Sequence, residues 1–142
     1  MNILLVEDSL HDIFFIQRAL KVMEKPVELH VVGDGEQALD FLFHREPYTQ
    51  AAPPDLILLD LTMPRKTGME VLAELEHEPQ LKAIPVIILT SGAHPREIDR
   101  CYELGAKACF VKSTRLSELF TLMKATVDFW GMCQCPTLTN GH

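Results

Sequence analysis

Four short, almost wholly apolar runs recur along the chain, and a fifth run alternates between apolar and polar residues. Continuous apolar runs of this length are typical of strands buried on both faces, as in a parallel sheet covered by helices. The alternating run, Val27–Val32, predicts a strand with one face in contact with water. The four apolar runs are Ile3–Val6, Leu56–Leu59, Val86–Leu89 and Ala108–Val111.

The segments between these runs carry apolar residues at helical spacing. Pro95 suits the first position of a helix and Gly105 the position after its end. An alternation of strand and helix, repeated five times, predicts an α/β fold, a doubly wound five-stranded parallel sheet with right-handed crossovers. The five predicted helices cover residues 12–23, 34–42, 68–77, 95–105 and 117–130.

Length and composition narrow the class of protein. The 142 residues suit a single domain, predicted over 1–130 with a C-terminal tail over 131–142. The formal net charge of −7 disfavours nucleic acid and anionic membrane surfaces as partners. No apolar run is long enough for a membrane span, and the N-terminus does not resemble a signal peptide, so we expect a cytoplasmic protein.

The four cysteines do not suggest a disulfide framework in a chain with this much core. Cys133 and Cys135 are separated by one residue, which is closer than the usual spacing of zinc ligands. We therefore interpret them as part of an apolar tail and not as a metal site.

Polar residues follow four of the five predicted strands. Glu7 and Asp8 follow the first, Asp60 the third, Thr90 the fourth and Lys112 the fifth. Ligand sites of open parallel sheets form beyond the carboxyl ends of the strands, where the strand order reverses. With the order 2-1-3-4-5, the first and third strands are neighbours, so the three carboxylates converge on one edge.

Three carboxylates packed together repel one another, and binding a cation relieves that repulsion. Carboxylate oxygens suit Mg²⁺, and three carboxylates, one divalent ion and Lys112 sum to a neutral site. Such a site can accept a phosphoryl group, with Lys112 and the Thr90 hydroxyl contacting its oxygens and a carboxylate attacking phosphorus.

Each residue also has a simpler interpretation. Asp8 could be a helix N-cap, Thr90 could begin a turn, and Lys112 could be a solvated surface lysine. Taken together these interpretations explain the pattern poorly, because the charges at the strand ends balance around one cation.

The residues around these strand ends resemble a known family. The chain is similar from residue 3 to about residue 125 to the receiver domain of two-component response regulators, which have a flavodoxin-like fold. The resemblance implies that Asp60 is the phosphoacceptor and that Glu7, Asp8, Asp60 and the Thr62 carbonyl hold Mg²⁺. It also implies that Thr90 and Lys112 contact the phosphoryl group. The matching segments are Leu4–Asp8, Asp55–Pro64, Gly68, Pro85–Thr90, Gly105–Ala106 and Lys112.

Three features resemble a narrower group, the stand-alone regulators that are paired with bacterial and cyanobacterial phytochromes. They are the insert before the third strand, Asp12, and a last helix that ends in Asp128–Trp130. The resemblance implies a sensor histidine kinase as the partner, in this group a phytochrome photoreceptor. It implies a signalling protein and not a conventional enzyme.

Two positions depart from the receiver pattern. Receivers usually carry an aromatic residue where this chain has Cys109, and a proline follows their lysine where this chain has Ser113. These departures leave open a non-switching, constitutive protein-interaction module with a receiver fold. A phosphatase with an aspartyl intermediate usually carries a second acid where Thr62 stands, which disfavours that activity.

The last predicted helix carries two apolar stripes. Leu122, Ala125, Thr126 and Phe129 form a second stripe beside the one expected to face the core. We expect the second stripe to form a homodimer through the fourth and fifth helices, unless the tail folds over it. The core stripe is Leu116, Leu119, Phe120, Met123, Val127 and Trp130.

Small Gly92, two residues after Thr90, is expected to leave the site open to water, which predicts a short-lived phosphoryl state.

Overall fold

The computed structural model describes residues 1–63, 65–92, 94–112 and 115–132. The strands are β1 (Asn2–Val6), β2 (Glu28–Val32), β3 (Leu56–Asp60), β4 (Val86–Thr90) and β5 (Ala108–Val111). The helices are α1 (Leu10–Lys21), α2 (Gly35–Leu42), α3 (Gly68–Glu76), α4 (Pro79–Lys82), α5 (Pro95–Glu103) and α6 (Leu116–Met132).

The five strands form one parallel sheet in the order β2-β1-β3-β4-β5, which confirms the predicted fold. The register pairs Val6 with Leu59 and Thr90 with Val111, so the strands end close to one edge. That edge is where the polar strand ends meet.

Two apolar cores cover the two faces of the sheet, because alternate residues of each strand point to opposite faces. Leu4, Val6 and Leu59 belong to the core with α2 and α3, while Leu5 and Leu58 belong to the core with α1 and α6. Every residue of β3 and β4 is buried, as the continuous apolar runs predicted.

β5 differs from the prediction that all four apolar runs are buried on both faces. Its residues are only partly buried, and Val111 is 63% exposed. The prediction was wrong here because β5 is an edge strand with β4 as its single neighbour.

The one-turn helix α4 was not predicted. Pro79 occupies its first turn, and Leu81 packs against the core next to α2 and α3. The fourth and fifth predicted helices are therefore α5 and α6.

The second apolar stripe of α6 is narrower than predicted. Thr126 is buried and its hydroxyl donates to the Leu122 carbonyl at 2.8 Å, while Leu122 itself packs against the core. Only Ala125 and Phe129 of that stripe are exposed, with Phe129 at 60%. The helix has a wider buried face than a single stripe because it packs against both α1 and the sheet.

The core stripe of α6 is confirmed at Met123 and Val127, which are buried, and at Phe120 and Trp130, which pack on them. The side chains of Leu116 and Leu119 and the tail over 133–142 lie outside the described residues. Across the described ranges, no helix has both the length and the apolar character needed to cross a membrane.

Candidate functional site

Three carboxylates meet at the carboxyl edge of the sheet. Glu7 and Asp8 follow β1 and Asp60 ends β3, and one oxygen of each lies within 4.8 Å of the others. β1 and β3 are adjacent, which is why residues more than fifty positions apart come together. Glu7 is 1% exposed and Asp60 6%, whereas Asp8 is exposed. The structure therefore brings together the three acids that the sequence singled out.

The turn between β1 and α1 fixes the two acids of the first strand end. The Glu7 amide donates to the Val32 carbonyl at 3.0 Å, and Glu7 Oε2 accepts the Ser9 amide at 3.1 Å. Ser9 is the N-cap of α1, since its hydroxyl oxygen accepts the Asp12 amide. The interpretation of Asp8 as the cap was therefore wrong, and its carboxylate lies in the acidic cluster instead.

Lys112 lies just beyond β5, and its ammonium is surrounded by three carboxylates. Nζ lies 2.6 Å from Glu7 Oε1, 2.9 Å from Asp12 Oδ2 and 3.6 Å from Asp60 Oδ1. The contact with Glu7 is an ion pair outside hydrogen-bonding geometry, whereas Asp12 accepts a hydrogen bond. The side chain is 14% exposed, so the interpretation as a solvated surface lysine was wrong.

Asp12 is the residue that the site gains over the sequence analysis. In the sequence, Asp12 stands out only as a point of resemblance to the phytochrome-associated regulators, without an assigned role. It lies in the first turn of α1 and reaches Lys112, a hundred residues away along the chain. The spacing of Asp8 and Asp12 by one helical turn is the only local signal that could have suggested it.

The two threonines are held by local hydrogen bonds. The hydroxyl oxygen of Thr90 accepts the Gly92 amide at 3.2 Å, a turn contact of the kind that the simpler interpretation predicted. The hydroxyl keeps its own hydrogen to donate, so this contact leaves the predicted phosphoryl contact open. The Thr62 amide donates to Asp60 Oδ1 at 3.3 Å. The role of the Thr62 carbonyl as a metal ligand stays a prediction.

The loop between β3 and α3 is clamped against the sheet. A Cβ atom at Gly68 would overlap the Asp60 carbonyl oxygen, so only glycine allows this approach. Arg65 in the loop donates to Asp34 at 2.7 Å, and Asp34 is the buried N-cap of α2. The clamp fixes the segment that carries Thr62, and the Asp34–Arg65 pair was not predicted.

Burial and the Lys112 ammonium have opposite effects on the pKa values of the two buried acids, Glu7 and Asp60. Burial raises the pKa of Glu7 above its ordinary value, and Lys112 and the Ser9 amide only partly oppose it. Burial likewise raises the pKa of Asp60, with the Lys112 charge as the main opposing effect. Both acids are therefore stabilised by additional positive charge.

The pKa values of Asp12 and Lys112 shift in the directions expected for the two partners of an ion pair. Burial would raise the pKa of Asp12, but the hydrogen bond and charge of Lys112 outweigh it and lower the pKa. Burial would lower the pKa of Lys112, yet Glu7 and Asp12 raise it overall. Lys112 is thus protonated and Asp12 ionised near neutral pH.

The donor set fits a hard divalent cation, since it consists of carboxylate oxygens close to one another. The predicted neutral charge sum was wrong, because Asp12 is a fourth carboxylate at the site. Four carboxylates, one ammonium and one divalent cation carry a formal net charge of −1.

The two departures from the receiver pattern have different outcomes. Cys109 packs against the core on the α2 and α3 face, and Phe110 packs against the opposite core. Ser113, with its peptide bond to Lys112, and the pair Cys133 and Cys135 lie outside the described residues.

The fold and the acidic edge are those of receiver domains, and a sequence comparison agrees. The family model described as response regulator receiver domain matches residues 3–124, so the chain belongs to this family. It is a signalling protein of the two-component systems.

Within that family, relatives of known type cover most of the chain. It is 41% identical over 128 residues to the response regulator Rcp1 of Synechocystis sp., covering 90% of this chain and 87% of Rcp1. The structure of the phosphorylated cyanobacterial phytochrome response regulator RcpA matches with a TM-score of 0.90 and 41% identity, covering 96% of this chain and 98% of RcpA. The protein is thus a receiver-domain response regulator related to the phytochrome response regulators.

A metal-bound relative supports the fit of the acidic cluster. The structure of the Mn²⁺-bound form of Rcp1 matches with a TM-score of 0.88 and 39% identity, covering 96% of this chain and 99% of that one. Glu7, Asp8 and Asp60 thus form an acidic pocket of the kind in which receiver domains bind a divalent metal ion.

Proposed function

We propose that this protein accepts a phosphoryl group on Asp60 from a sensor histidine kinase and that the step depends on Mg²⁺. The observation that carries the proposal is the position of Asp60, buried beside Glu7 and Asp8 with the Lys112 ammonium 3.6 Å away. Output then follows through protein binding or through relay of the phosphoryl group.

The transfer is a nucleophilic displacement at phosphorus. A carboxylate oxygen of Asp60 forms the new O–P bond while the N–P bond of a phosphohistidine breaks, and the imidazole nitrogen keeps the electron pair. Lys112 donates to one phosphoryl oxygen, and the Thr90 hydroxyl donates to another once it moves inward from its contact with Gly92. Hydrolysis of the acyl phosphate restores the free carboxylate.

The proposed metal site consists of the carboxylates of Glu7, Asp8 and Asp60 and the carbonyl of Thr62. Mg²⁺ held there supplies positive charge to the phosphoryl oxygens during transfer. The clamp of Arg65 on Asp34 keeps the loop that carries Thr62 in place.

The relationship to phytochrome response regulators supports a phytochrome histidine kinase as the donor. Its test is transfer from a cyanobacterial phytochrome kinase under red and far-red light. Transfer that depends on light supports the pairing, and transfer from unrelated kinases alone contradicts it.

Phosphorylation is tested by intact mass after incubation with acetyl phosphate and Mg²⁺. We expect one phosphoryl adduct on the wild type and none on Asp60→Asn. Asp99→Asn, at an exposed position of α5, is the matched control and should react as the wild type does. An adduct on Asp60→Asn, or none on the wild type, contradicts the proposal.

A homodimer through α5 and α6 is supported by exposed apolar side chains on consecutive elements. Tyr102 on α5 is 48% exposed, Val111 on β5 63% and Phe129 on α6 60%. A two-fold axis beside the edge strand β5 would bury Val111 on both copies. Val111→Lys should therefore lower the mass measured by sedimentation, whereas Val22→Lys, equally exposed at the C-cap of α1, should not. A wild type that sediments as a monomer contradicts the dimer.

Cys109 favours the second candidate, a constitutive interaction module, because it replaces the aromatic residue that usually moves with the switch. That candidate requires equal partner binding by the wild type and Asp60→Asn, with or without acetyl phosphate.

The proposal also includes a domain over 1–130 with a tail over 131–142 and a cytoplasmic location. It further includes the lack of binding to nucleic acid or membranes.

A further inference from the structure

Asp12 competes with the incoming phosphoryl group for the ammonium of Lys112. We propose that Asp12 is a positioning residue that holds Lys112 in the resting site and shortens the lifetime of the aspartyl phosphate. This inference rests on the proposed function of Asp60 as phosphoacceptor. The observation behind it is the 2.9 Å hydrogen bond between Lys112 Nζ and Asp12 Oδ2.

The ammonium has opposite charge on several sides in the resting site, and among the described contacts Asp12 accepts its hydrogen bond. A lysine ammonium has three N–H bonds, and three carboxylates already surround this one. They are Glu7 at 2.6 Å, Asp12 at 2.9 Å and Asp60 at 3.6 Å. A phosphoryl oxygen that binds Lys112 therefore competes with these carboxylates for the same positive charge.

Burial decides which contact is given up. The side chain of Glu7 is 1% exposed, so losing the ammonium would leave its carboxylate without water to replace it. The side chain of Asp12 is 31% exposed and water can solvate it when Lys112 turns away. The Asp12 contact is thus the one that yields at the lowest cost.

The backbone of Asp12 stays in place during this exchange. Its amide donates to the hydroxyl oxygen of Ser9, the N-cap of α1. The carboxylate therefore remains within reach and draws Lys112 back when the phosphoryl contact weakens.

The negative charge of Asp12 also disfavours the phosphorylated state. With Asp12 ionised, the site with one divalent cation has a net charge of −1, which disfavours the dianionic phosphoryl group. Replacing Asp12 by asparagine removes that excess charge and frees one ammonium donor. We expect Asp12→Asn to lengthen the half-life of the aspartyl phosphate by about 3- to 5-fold, the size of effect of a partly exposed ion pair.

A purely structural role for Asp12 predicts a different result. An acid in the first turn of a helix stabilises the helix dipole, and its loss lowers stability without changing the lifetime of the acyl phosphate. Glu36→Gln is the matched control, because Glu36 is an exposed acid in the first turn of α2. It should leave the half-life unchanged.

The experiment follows decay of the adduct by intact mass, after acetyl phosphate is removed in the presence of Mg²⁺. A second readout is the affinity for beryllofluoride, a non-covalent mimic of the phosphoryl group, measured by NMR titration of the full-length chain. Asp12→Asn should raise both the half-life and the affinity. Asp12→Glu should restore values near those of the wild type, because it returns the charge.

The outcomes separate this inference from the proposed function. A wild type that takes no adduct overturns the function and this inference with it. A wild type that reacts, together with an Asp12→Asn half-life that is unchanged or shorter, overturns this inference alone.

Discussion

Replacing Lys112 with methionine should lower the free energy of unfolding strongly in the absence of a divalent cation. Methionine keeps the length and the apolar stem of the side chain but removes the ammonium. Glu7 and Asp60, at 1% and 6% exposure, are then left without the positive charge at 2.6 and 3.6 Å. Only Asp12 is exposed enough to regain water.

Removing one partner of a buried ion pair costs about 3–5 kcal/mol, and partial exposure of this site places the expected loss near 3 kcal/mol. With a urea m-value of about 2 kcal/mol per molar, this shifts the unfolding midpoint down by about 1.5 M. The assay is urea unfolding followed by circular dichroism in a buffer that contains a chelator.

Lys124→Met provides the matched control. Lys124 donates to Asp128 at 2.9 Å, the distance found between Lys112 and Asp12. Both members of the Lys124–Asp128 pair, however, are about half exposed. Water and salt screen an exposed pair one helical turn apart, so the midpoint should move far less than in Lys112→Met. Equal shifts in the two variants would refute the argument from burial.

The gain in stability on adding Mg²⁺ provides a second measurement in the same test. Without the ammonium the acidic cluster is more negative, so Mg²⁺ should bind more tightly to Lys112→Met than to the wild type. A tenfold tighter site adds about 1.4 kcal/mol of stability at saturating metal. Mg²⁺ should therefore stabilise the variant more than the wild type, and an equal gain would show that the cation binds elsewhere.

Three further predictions concern the surroundings of the site. Gly68→Ala should lower the free energy of unfolding by about 2 kcal/mol, because its Cβ would overlap a carbonyl oxygen of β3. Gly92→Ala, with open space around it, should change the free energy of unfolding by less than about 0.5 kcal/mol. Burial raises the pKa of Cys101 from 9.0 to about 11, so a thiol reagent at pH 8 should modify it only in urea, as seen by peptide mass. Since the folded pKa is the higher one, the stability that Cys101 contributes is complete below pH 9 and is lost as the pH rises through 11. Asp34→Ala should cost about 1–2 kcal/mol in the same unfolding assay, because it removes a helix cap and the partner of Arg65; a loss no greater than that of Asp40→Ala would contradict it.

The sheet could be predicted from local patterns because a short run of apolar or alternating residues is enough to identify each strand. Two covered faces favour apolar residues at every position, and β3 and β4 follow that rule up to their last residues, Asp60 and Thr90. The rule failed at β5, because the predicted order 2-1-3-4-5 places this strand at the edge of the sheet, where Val111 is exposed in spite of its apolar run.

The candidate site followed from the same patterns. Carboxyl ends of parallel strands share one edge, so Glu7, Asp8, Asp60 and Lys112 could be assigned to one place before any distance was known. Their proximity follows from the strand order, because Glu7 and Asp8 follow β1, Asp60 ends β3 and Lys112 follows β5.

The class of fold, the acids at the strand ends and the lysine that faces them follow from local sequence patterns, since they depend on periodicity and on position at the end of a strand. Three other features depend on how the elements pack: Ser9 and not Asp8 caps α1, Thr126 turns inward, and Asp12 reaches Lys112. The last contact joins residues a hundred positions apart, one in a helix and one after an edge strand. No local pattern encodes such a pair, because its distance depends on how α1 packs across the sheet.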